Sequence, residues 1–437
     1  MSLAEQRPTA AVLREEPGAR PRLEARAQLA LMVCAALALR LVTMLFLYPG
    51  HLDPSRNHWH FAWETGMIAG ALASGHGFSS PFAQPSGPTA WMGPTFPWLL
   101  AQVFRVFGIY SRASAIAILS LNCLFSALTC IPVFFIARRS FGPRTAAWAG
   151  WMWAVFPYGV YLSADRIWEN SLTALLMTTL FWSVLRLREG APRAAWAGFG
   201  LLAGLAALSN PIVLGILPFL LAWACWELRR QGQRWKLPVA LATLALVLIV
   251  TPWEIRNYRV FGKFIPLRGN FWAEMRVGNT GDTSDIYPDW AHPSTSDSEW
   301  REYARLGETA FMVRERTLAL NFIRHYPAVF GWLTVRRFGY VWTGFWSLNP
   351  VYTANEPFQV PNTVFCSALT VLMLLGLRKA WRHHARQTLP FVLLLVLLPL
   401  PYYVTHPCMD YRHIIDPEIV ILAVYGVAAG RTRDKAA

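Results

Sequence analysis

Apolar runs separated by short charged clusters fill most of this chain. Stretches near the roughly 20 residues that a membrane helix needs occur at about 27–48, 114–137, 145–162, 168–186, 194–209, 211–228, 237–254, 360–377, 387–405 and 414–430. The pattern predicts an all-α polytopic membrane protein with about 10 transmembrane helices, interfacial helices and a small outer-face subdomain. The count stays open at two places. The runs 194–209 and 211–228 meet at Asn210-Pro211, and 328–346 offers a further apolar stretch.

The charged clusters set the orientation. With the N-terminus inside, the cytoplasmic segments hold the N-terminal arginines, then Arg138, Arg139 and Arg144, then Arg186, Arg188 and Arg193. The later inner segments hold Arg229, Arg230, Arg234 and Lys236, then Arg378, Lys379, Arg382 and Arg386, then Arg431, Arg433 and Lys435. The outer short segments hold only Arg56, Arg105, Arg112, Arg166 and Arg412, as the positive-inside rule requires. The first run lacks a clear small-residue cleavage site and reads as a retained span. The expected organisation is a cytoplasmic tail at 1–26 and a transmembrane core at 27–254 containing a first outer loop at 49–113. An outer-face segment at 255–358, C-terminal transmembrane helices at 359–430 and a cytoplasmic tail at 431–437 follow.

Composition agrees. Of 437 residues, 54% are hydrophobic and 15% charged, against about 25% charged in ordinary soluble domains, which excludes a conventional soluble enzyme. The 21 Trp and 26 Phe exclude a disordered chain, which could not leave them in water. A net charge of +15 suggests nucleic acid first, but the basic residues sit in clusters between apolar runs and not on one soluble face. The six cysteines lie irregularly in or beside apolar runs, so they suggest packing and neither a disulfide framework nor a CxxC metal site.

Candidate chemistry collects in the expected outer segments. Asp53-Pro54 can start a helix, Asp as cap and Pro as first helical residue. Over Asn57 to Ala73, Asn57, His60 and Glu64 recur at i, i+3 and i+7 and form one polar stripe. Trp59, Phe61, Trp63, Met67, Ile68 and Leu72 cover the rest, the pattern of a helix lying in the membrane interface. Glu64 reads either as a general base aimed at a cavity or as a charge reaching for water, Asp53 as a cap and His60 as an interfacial hydrogen-bonder. The Gly- and Pro-rich stretch from Gly75 to Pro97 predicts a stiff, non-helical re-entrant loop.

Beyond the seventh run, Arg256 with Asn257 and then Arg268 flank a Phe-Gly-Lys turn. Their guanidinium groups could grip one anion, since Arg binds phosphate oxygens bidentately, or they could anchor in headgroups. The polar stretch 281–326, with Asp282, Asp285, Asp289, His292, Glu302 and Glu308, matches no metal-ligand spacing and reads as a solvated subdomain. Arg336 and Arg337 look like interfacial anchors. The last outer loop, Thr405 to His413, enters the tenth run with Asp416 and Glu418, and ionisable groups there are functional candidates. Asp165, Arg166 and Glu169 suggest a local ion-pair network.

The apolar first span, the short helix with its acidic residue, "IAGALASGHGFSSPF", "GPTAWMGPTFPWLLAQVFRVFG" and "FFIARRSFG" together resemble the GT-C membrane glycosyltransferases. The resemblance covers most of the chain and lies nearest the bacterial branch related to protein O-mannosyltransferases and the aminoarabinose transferase. It implies a polyprenyl-phosphate sugar donor, a lipid, glycan or protein acceptor, and a catalytic carboxylate in the first outer loop. Where members often carry an Asp paired with Glu, this sequence has Asp53 in "LDP" and Glu64 in "WETG"; Glu64 is preferred as base, with Asp53 in reserve. The run Trp253 to Tyr258 followed by Pro266-Leu267-Arg268-Gly269-Asn270 is similar to a family pattern that implies donor-phosphate binding by Arg256, Asn257 and Arg268. In the last loop it implies the same for Arg412 and His413; Asn57 and His60, on the polar stripe of Glu64, are the expected substrate-binding residues beside the base.

The expected reaction is an inverting sugar transfer at the periplasmic or extracellular face of the cytoplasmic (inner) membrane. No cofactor is certain: because no DxD-type pair stands beside Glu64 a metal is left out of the reaction, with a divalent metal kept as an alternative. The main rival is a transporter or lipid flippase using the same charged residues as a path, but transporters place such groups at the bilayer midplane and here polarity gathers at the outer rim. A ligase using a polyprenyl-diphosphate glycan and an inactive structural subunit fit the same topology.

Overall fold

The computed structural model describes residues 19–47, 52, 61, 63–82, 85–281, 289–345 and 359–428. Asp53, Asn57 and His60 lie outside the described residues. Among those described there is no β-strand, and a single antiparallel bridge joins Ser79 to Pro88.

Among the described residues six helices are long and apolar enough to cross a membrane: Ala25–Leu47, Arg112–Phe141, Ile212–Arg230, Lys236–Phe261, Val360–His383 and Ala385–Val404. The first comprises most of α1 (Ala19–Val42) and a π-helical turn at Thr43–Leu47. The second joins α4 (Arg112–Leu128) to α5 (Cys130–Phe141). The other expected spans are shorter or broken. The run 145–162 is divided into α6 (Pro143–Ala154) and α7 (Pro157–Asp165), because Pro157 starts a new helix that the preceding one cannot continue. Asn210 separates α9 (Arg193–Ser209) from α10 (Ile212–Arg230), its side chain accepting from the Ile212 N–H. α8 (Asn170–Leu187) buries Asn170, Ser171, Thr173 and Thr178. The last described helix covers only Asp416–Ala428.

Close helix packing relies on glycine, as is usual where lipid supplies no hydrophobic drive between helices. A Cβ on Gly200 of α9 would run into the Ala242 backbone of α11 (Lys236–Phe261), and one on Gly376 into the Leu422 backbone. Arg40, fully buried in the first span, directs its guanidinium to Ser126 Oγ and to the Ala36, Ala154 and Trp153 carbonyls. These bonds offset the loss of water around a buried cation.

The segments between spans pack on one another. α2 (Glu64–Ala73) and the amphipathic α3 (Thr95–Phe107) lie in the first expected outer loop. The stretch between them is non-helical, as the Gly and Pro density predicts. α2 begins at Glu64, so the described helix is shorter than the expected Asn57–Ala73 and contains only the last member of the polar stripe. The second segment supplies α12 (Phe271–Gly278), α13 (Asp297–Leu306), α14 (Glu308–His325) and α15 (Pro327–Thr343). α16 (Gln359–Leu397) and α17 (Leu400–Val404) lead into the last loop, and α18 (Asp416–Ala428) ends the described chain. A small apolar core, separate from that of the helical bundle, unites both segments through Ile68, Phe82, Trp91, Ala273, Tyr303 and Phe311. The 281–326 stretch is thus not merely solvated: parts of it form a core with the first loop.

Candidate active site

Two charged side chains are presented by unusual backbone. Trp63, with φ +28°, immediately precedes Glu64, and Leu267, with φ +59°, immediately precedes Arg268. Non-glycine residues at positive φ cost about 1–3 kcal/mol and gather at functional sites. The Arg268 turn is pinned from both sides. Glu254 accepts from the Leu267 N–H at 2.8 Å, the Trp253 indole donates to the Leu267 carbonyl at 2.7 Å, and the Gly269 N–H donates to the Ala90 carbonyl at 2.7 Å. Arg268 Nε donates to the Trp91 carbonyl at 3.0 Å, and its Nη1 lies 3.6 Å from Glu169 Oε1. The other Glu169 oxygen is buried without a hydrogen-bond partner among the described residues.

Glu64 occupies the first turn of α2, where the helix dipole favours negative charge, and only 9% of it is exposed. Its Oε1 stands 3.6 Å from His292 Nε2. Burial first, with the carboxylates of Glu274 and Glu169 adding to it, pushes the Glu64 carboxyl up to about 8; its own backbone N–H and Arg268 oppose the shift. Burial also pushes the His292 imidazole down to about 4, so the ring is neutral at pH 7. Glu274 behaves oppositely. Burial would raise it, but the hydrogen bond and charge of His406, helped by His292 and Arg268, hold it down at about 2. Its Oε2 is 2.7 Å from His406 Nε2, and Asn270 Nδ2 donates to its Oε1. The stacked rings of Tyr402 and Tyr411, 4.4 Å apart, adjoin His406.

Glu64, Glu169, Arg268, Glu274, His292 and His406 therefore form one constellation, in which Arg268 is felt by Glu64, Glu169, Glu274 and His292. Such a set can take a proton from a hydroxyl, accept hydrogen bonds from several others and offer one fixed cation to an anion. Among the described residues no group of three or more His, Cys, Asp or Glu is disposed to hold a metal ion.

Other sequence-selected residues are engaged elsewhere. Arg256 donates to the carbonyls of Thr89 and Phe78, both at 2.6 Å, and to Asn257 Oδ1, with its guanidinium over Phe78, Trp253 and Phe261. It holds the first loop in shape and does not present an open phosphate fork. Asn257 is buried and donates to the Ile265 carbonyl. Glu308 fixes the same loop, accepting from Thr89 Oγ1, from the Ala90 N–H at 2.8 Å and from Tyr303 at 2.9 Å. Arg412 is 5% exposed and spends its donors on Asp416, Cys366 and the Trp342 carbonyl. His413 is fully buried, stacked on Trp153 and 3.4 Å from Asp416. Both therefore sit inside helix packing and contact no described member of the Glu64 constellation: the 3-10 turn Met409–Ile415 carries them inward, where both pair with Asp416 at the start of α18. Arg337, expected to anchor at the interface, is also buried, donating to Asn279 and the Gly278 and Val404 carbonyls. Glu169 pairs with Arg268 while Asp165 pairs with Arg166, so the network expected at 165–169 divides.

Sequence reading missed Glu169, Glu274, His292 and His406 as partners. Local signals exist for Glu169, in the charged cluster at 165–169, for His292, in the polar stretch 281–326, and for His406, in the last loop, but none of them points to Glu64.

Residues 88–254 match the family described as dolichyl-phosphate-mannose-protein mannosyltransferase. No curated protein matches the sequence. Among solved structures, the oligosaccharyltransferase AglB from Archaeoglobus fulgidus, in complex with an inhibitory peptide and a dolichol-phosphate, superposes with a TM-score of 0.54 at 17% identity over 93% of this chain and 50% of that chain. The A. fulgidus oligosaccharyltransferase tethered with an acceptor peptide gives 0.54 at 14% identity over 93% and 50%. ArnT from Cupriavidus metallidurans bound to undecaprenyl phosphate gives 0.41 at 15% identity over 92% and 78%. The chain spans about half the length of the oligosaccharyltransferases it matches.

The fold is shared with the A. fulgidus oligosaccharyltransferase, and residues 88–254 match the mannosyltransferase family, in line with the GT-C resemblance in the sequence. Among its described residues the chain combines six helices long and apolar enough to cross a membrane with a charged constellation centred on Glu64 and Arg268.

Proposed function

We propose that this protein transfers a sugar from a polyprenyl-phosphate donor to an acceptor hydroxyl at the outer face of the cytoplasmic membrane, with inversion at the anomeric carbon. The observation that carries the reading is that Glu64, a buried carboxylate starting α2, lies within the electrostatic reach of Arg268, a cation held on the turn after α11. Both termini lie in the cytoplasm on this reading, following the distribution of arginines and lysines. The family description names a lipid-phosphate sugar, and AglB has been captured with a dolichol-phosphate, which supports a donor of that chemical kind.

The acceptor oxygen attacks the anomeric carbon as its proton passes to Glu64. The bond from that carbon to the phosphate oxygen breaks, and polyprenyl phosphate leaves with the electron pair. Arg268 offsets the charge growing on the departing phosphate, and preorganised cations are most effective where water is excluded. A phosphate leaving group needs no general acid, so one carboxylate suffices. Arg256 and Glu308 act through the first loop, holding its backbone against the second segment. Asp53 is the reserve base.

The test is incubation of the purified membrane protein with radiolabelled polyprenyl-phosphate sugars of several kinds, followed by mass analysis of the labelled product. Transfer by wild type, abolished in Glu64→Gln with donor binding intact, is the expected result. Full activity in Glu64→Gln would pass the role of base to Asp53.

A further inference from the structure

The polar group that meets Glu64 across the two segments is His292, a residue not used in the reaction above. Its ring is 3% exposed, with the edges of Trp91 and Phe82 at centroid distances of 5.5 and 6.0 Å. The backbone behind it is a tight turn: the N–H groups of Thr295 and Ser296 donate to the His292 carbonyl at 3.1 and 3.0 Å. Ser296 then caps α13. The ring is therefore held by aromatic packing and by the turn that carries it.

The two ring nitrogens have different environments. The Ser294 backbone N–H donates to Nδ1 at 3.1 Å, and Ser294 Oγ lies 2.6 Å from the same atom. A ring nitrogen that accepts from a backbone N–H carries no proton. The proton of the neutral imidazole is thus on Nε2, the atom that faces Glu64 Oε1. Their 3.6 Å separation exceeds a normal hydrogen bond by less than ~1 Å, and catalytic hydrogen bonds often tighten only when substrate binds.

We propose that His292 is the positioning residue of the base: it presents Nε2–H to Glu64 Oε1 and so leaves the other carboxylate oxygen for the acceptor hydroxyl. The inference rests on the transferase reading of Glu64. Among the described residues, the charged and titratable groups around the pair are Glu274, Arg268 and Glu169 for Glu64, and Glu274, His406 and Arg268 for His292. Burial keeps the imidazole uncharged, so it orients the carboxylate without neutralising it as a cation would. A donor to the ionised carboxylate also favours that ionised form, which helps a base that burial has made hard to deprotonate.

Two measurements on the full-length purified protein test this. The first is nitrogen NMR of histidine-labelled protein, with the His292 signals assigned by their loss in His292→Gln. A neutral ring protonated on Nε2, whose shifts respond to Glu64→Gln, is expected; protonation on Nδ1, or no response to Glu64→Gln, overturns the pairing. The second is the pH–rate profile of sugar transfer. His292→Phe should displace the profile to higher pH by about one pH unit, lowering transfer at pH 7 roughly tenfold with donor KM unchanged. His292→Gln, which keeps an N–H donor, should restore most of that loss. A His292→Phe protein that is less heat-stable but has the wild-type pH profile refutes the positioning role. If wild type moves no sugar at all while the nitrogen shifts still follow Glu64, the transferase reading fails and the contact itself stands.

Discussion

The Glu274 carboxylate and the His406 imidazole, 132 residues apart in the chain, meet at 2.7 Å. This contact joins α12 of the second segment to the loop after α17, directly beside the Arg268 turn. Because the partners of Glu274 outweigh burial and hold it at about 2 instead of the usual 4.5, its ionised form stabilises the fold. That contribution is complete above about pH 4.5 and is lost as pH falls towards 2. Glu274→Gln should cost about 3 kcal/mol near neutrality, the scale for removing one member of a buried pair. Its stability should then fall less than that of wild type between those two pH values. Thermal unfolding in detergent across that range is the measurement, and parallel curves for the two proteins would refute the prediction.

Glu64 has the opposite sign. With its carboxyl raised to about 8, the buried protonated form is favoured, so stability from this group is present below about pH 4.5 and is lost as pH rises through 8. Glu64→Gln should therefore be more heat-stable than wild type at pH 9, by up to a few kcal/mol, with little difference at pH 4. Transfer should show the reverse trend, rising with pH through about 8, because only the ionised carboxylate accepts a proton. At pH 7 roughly one molecule in ten carries that form. A flat profile between pH 6 and 9 would show that another group limits the rate.

Arg256→Ala should loosen the first loop. The guanidinium links two carbonyls, of Phe78 and Thr89, across the Ser79–Pro88 bridge. Losing charged hydrogen bonds of this kind costs about 2 kcal/mol. Hydrogen exchange should accelerate over residues 79–89, and transfer should fall at least tenfold because Ala90 and Trp91 brace the Arg268 turn. Arg256→Lys should not recover the function, since an ammonium lacks the planar fork that spans both carbonyls. Unchanged exchange over 79–89 in Arg256→Ala would contradict this role.

Gly278 is the point of closest approach between α12 and the loop carrying His406. A Cβ there would overlap the Thr405 carbonyl, and the Gly278 carbonyl already receives Arg337. Gly278→Ala should lower stability by about 2 kcal/mol or more, in the range of overpacking, and should separate Glu274 from His406. The check is the unfolding midpoint together with the loss of the pH-dependent stability assigned to Glu274. A fully stable Gly278→Ala protein would mean that the two segments can move apart without cost.

Much of the architecture is legible locally. Apolar runs mark the long helices because desolvating twenty residues leaves no alternative to internal hydrogen bonding. The breaks at Pro157 and Asn210-Pro211 show how proline and a side chain that bonds its own backbone divide apolar stretches that hydropathy alone would join. The candidate site was less legible. Glu64 stands out through the polar stripe it shares with Asn57 and His60, and Arg268 through its pairing with Arg256 across the Phe-Gly-Lys turn, yet nothing near His292 marks it as a neighbour of Glu64. Arg412 and His413 drew attention by the same local argument and face helix packing instead, as the pairing with Asp416 shows.

The sequence by itself determined that this is a polytopic helical membrane protein with chemistry-bearing segments after the first and seventh apolar runs. Those properties follow from short-range physics, the hydropathy of consecutive residues and the special backbone of Gly and Pro. Only the tertiary structure decided which arginine lends its charge to the site around Glu64 and which braces a loop, and which histidine faces that carboxylate. Such pairings depend on contacts between segments a hundred or more residues apart, where the same side chain is a ligand or a strut according to what packs against it.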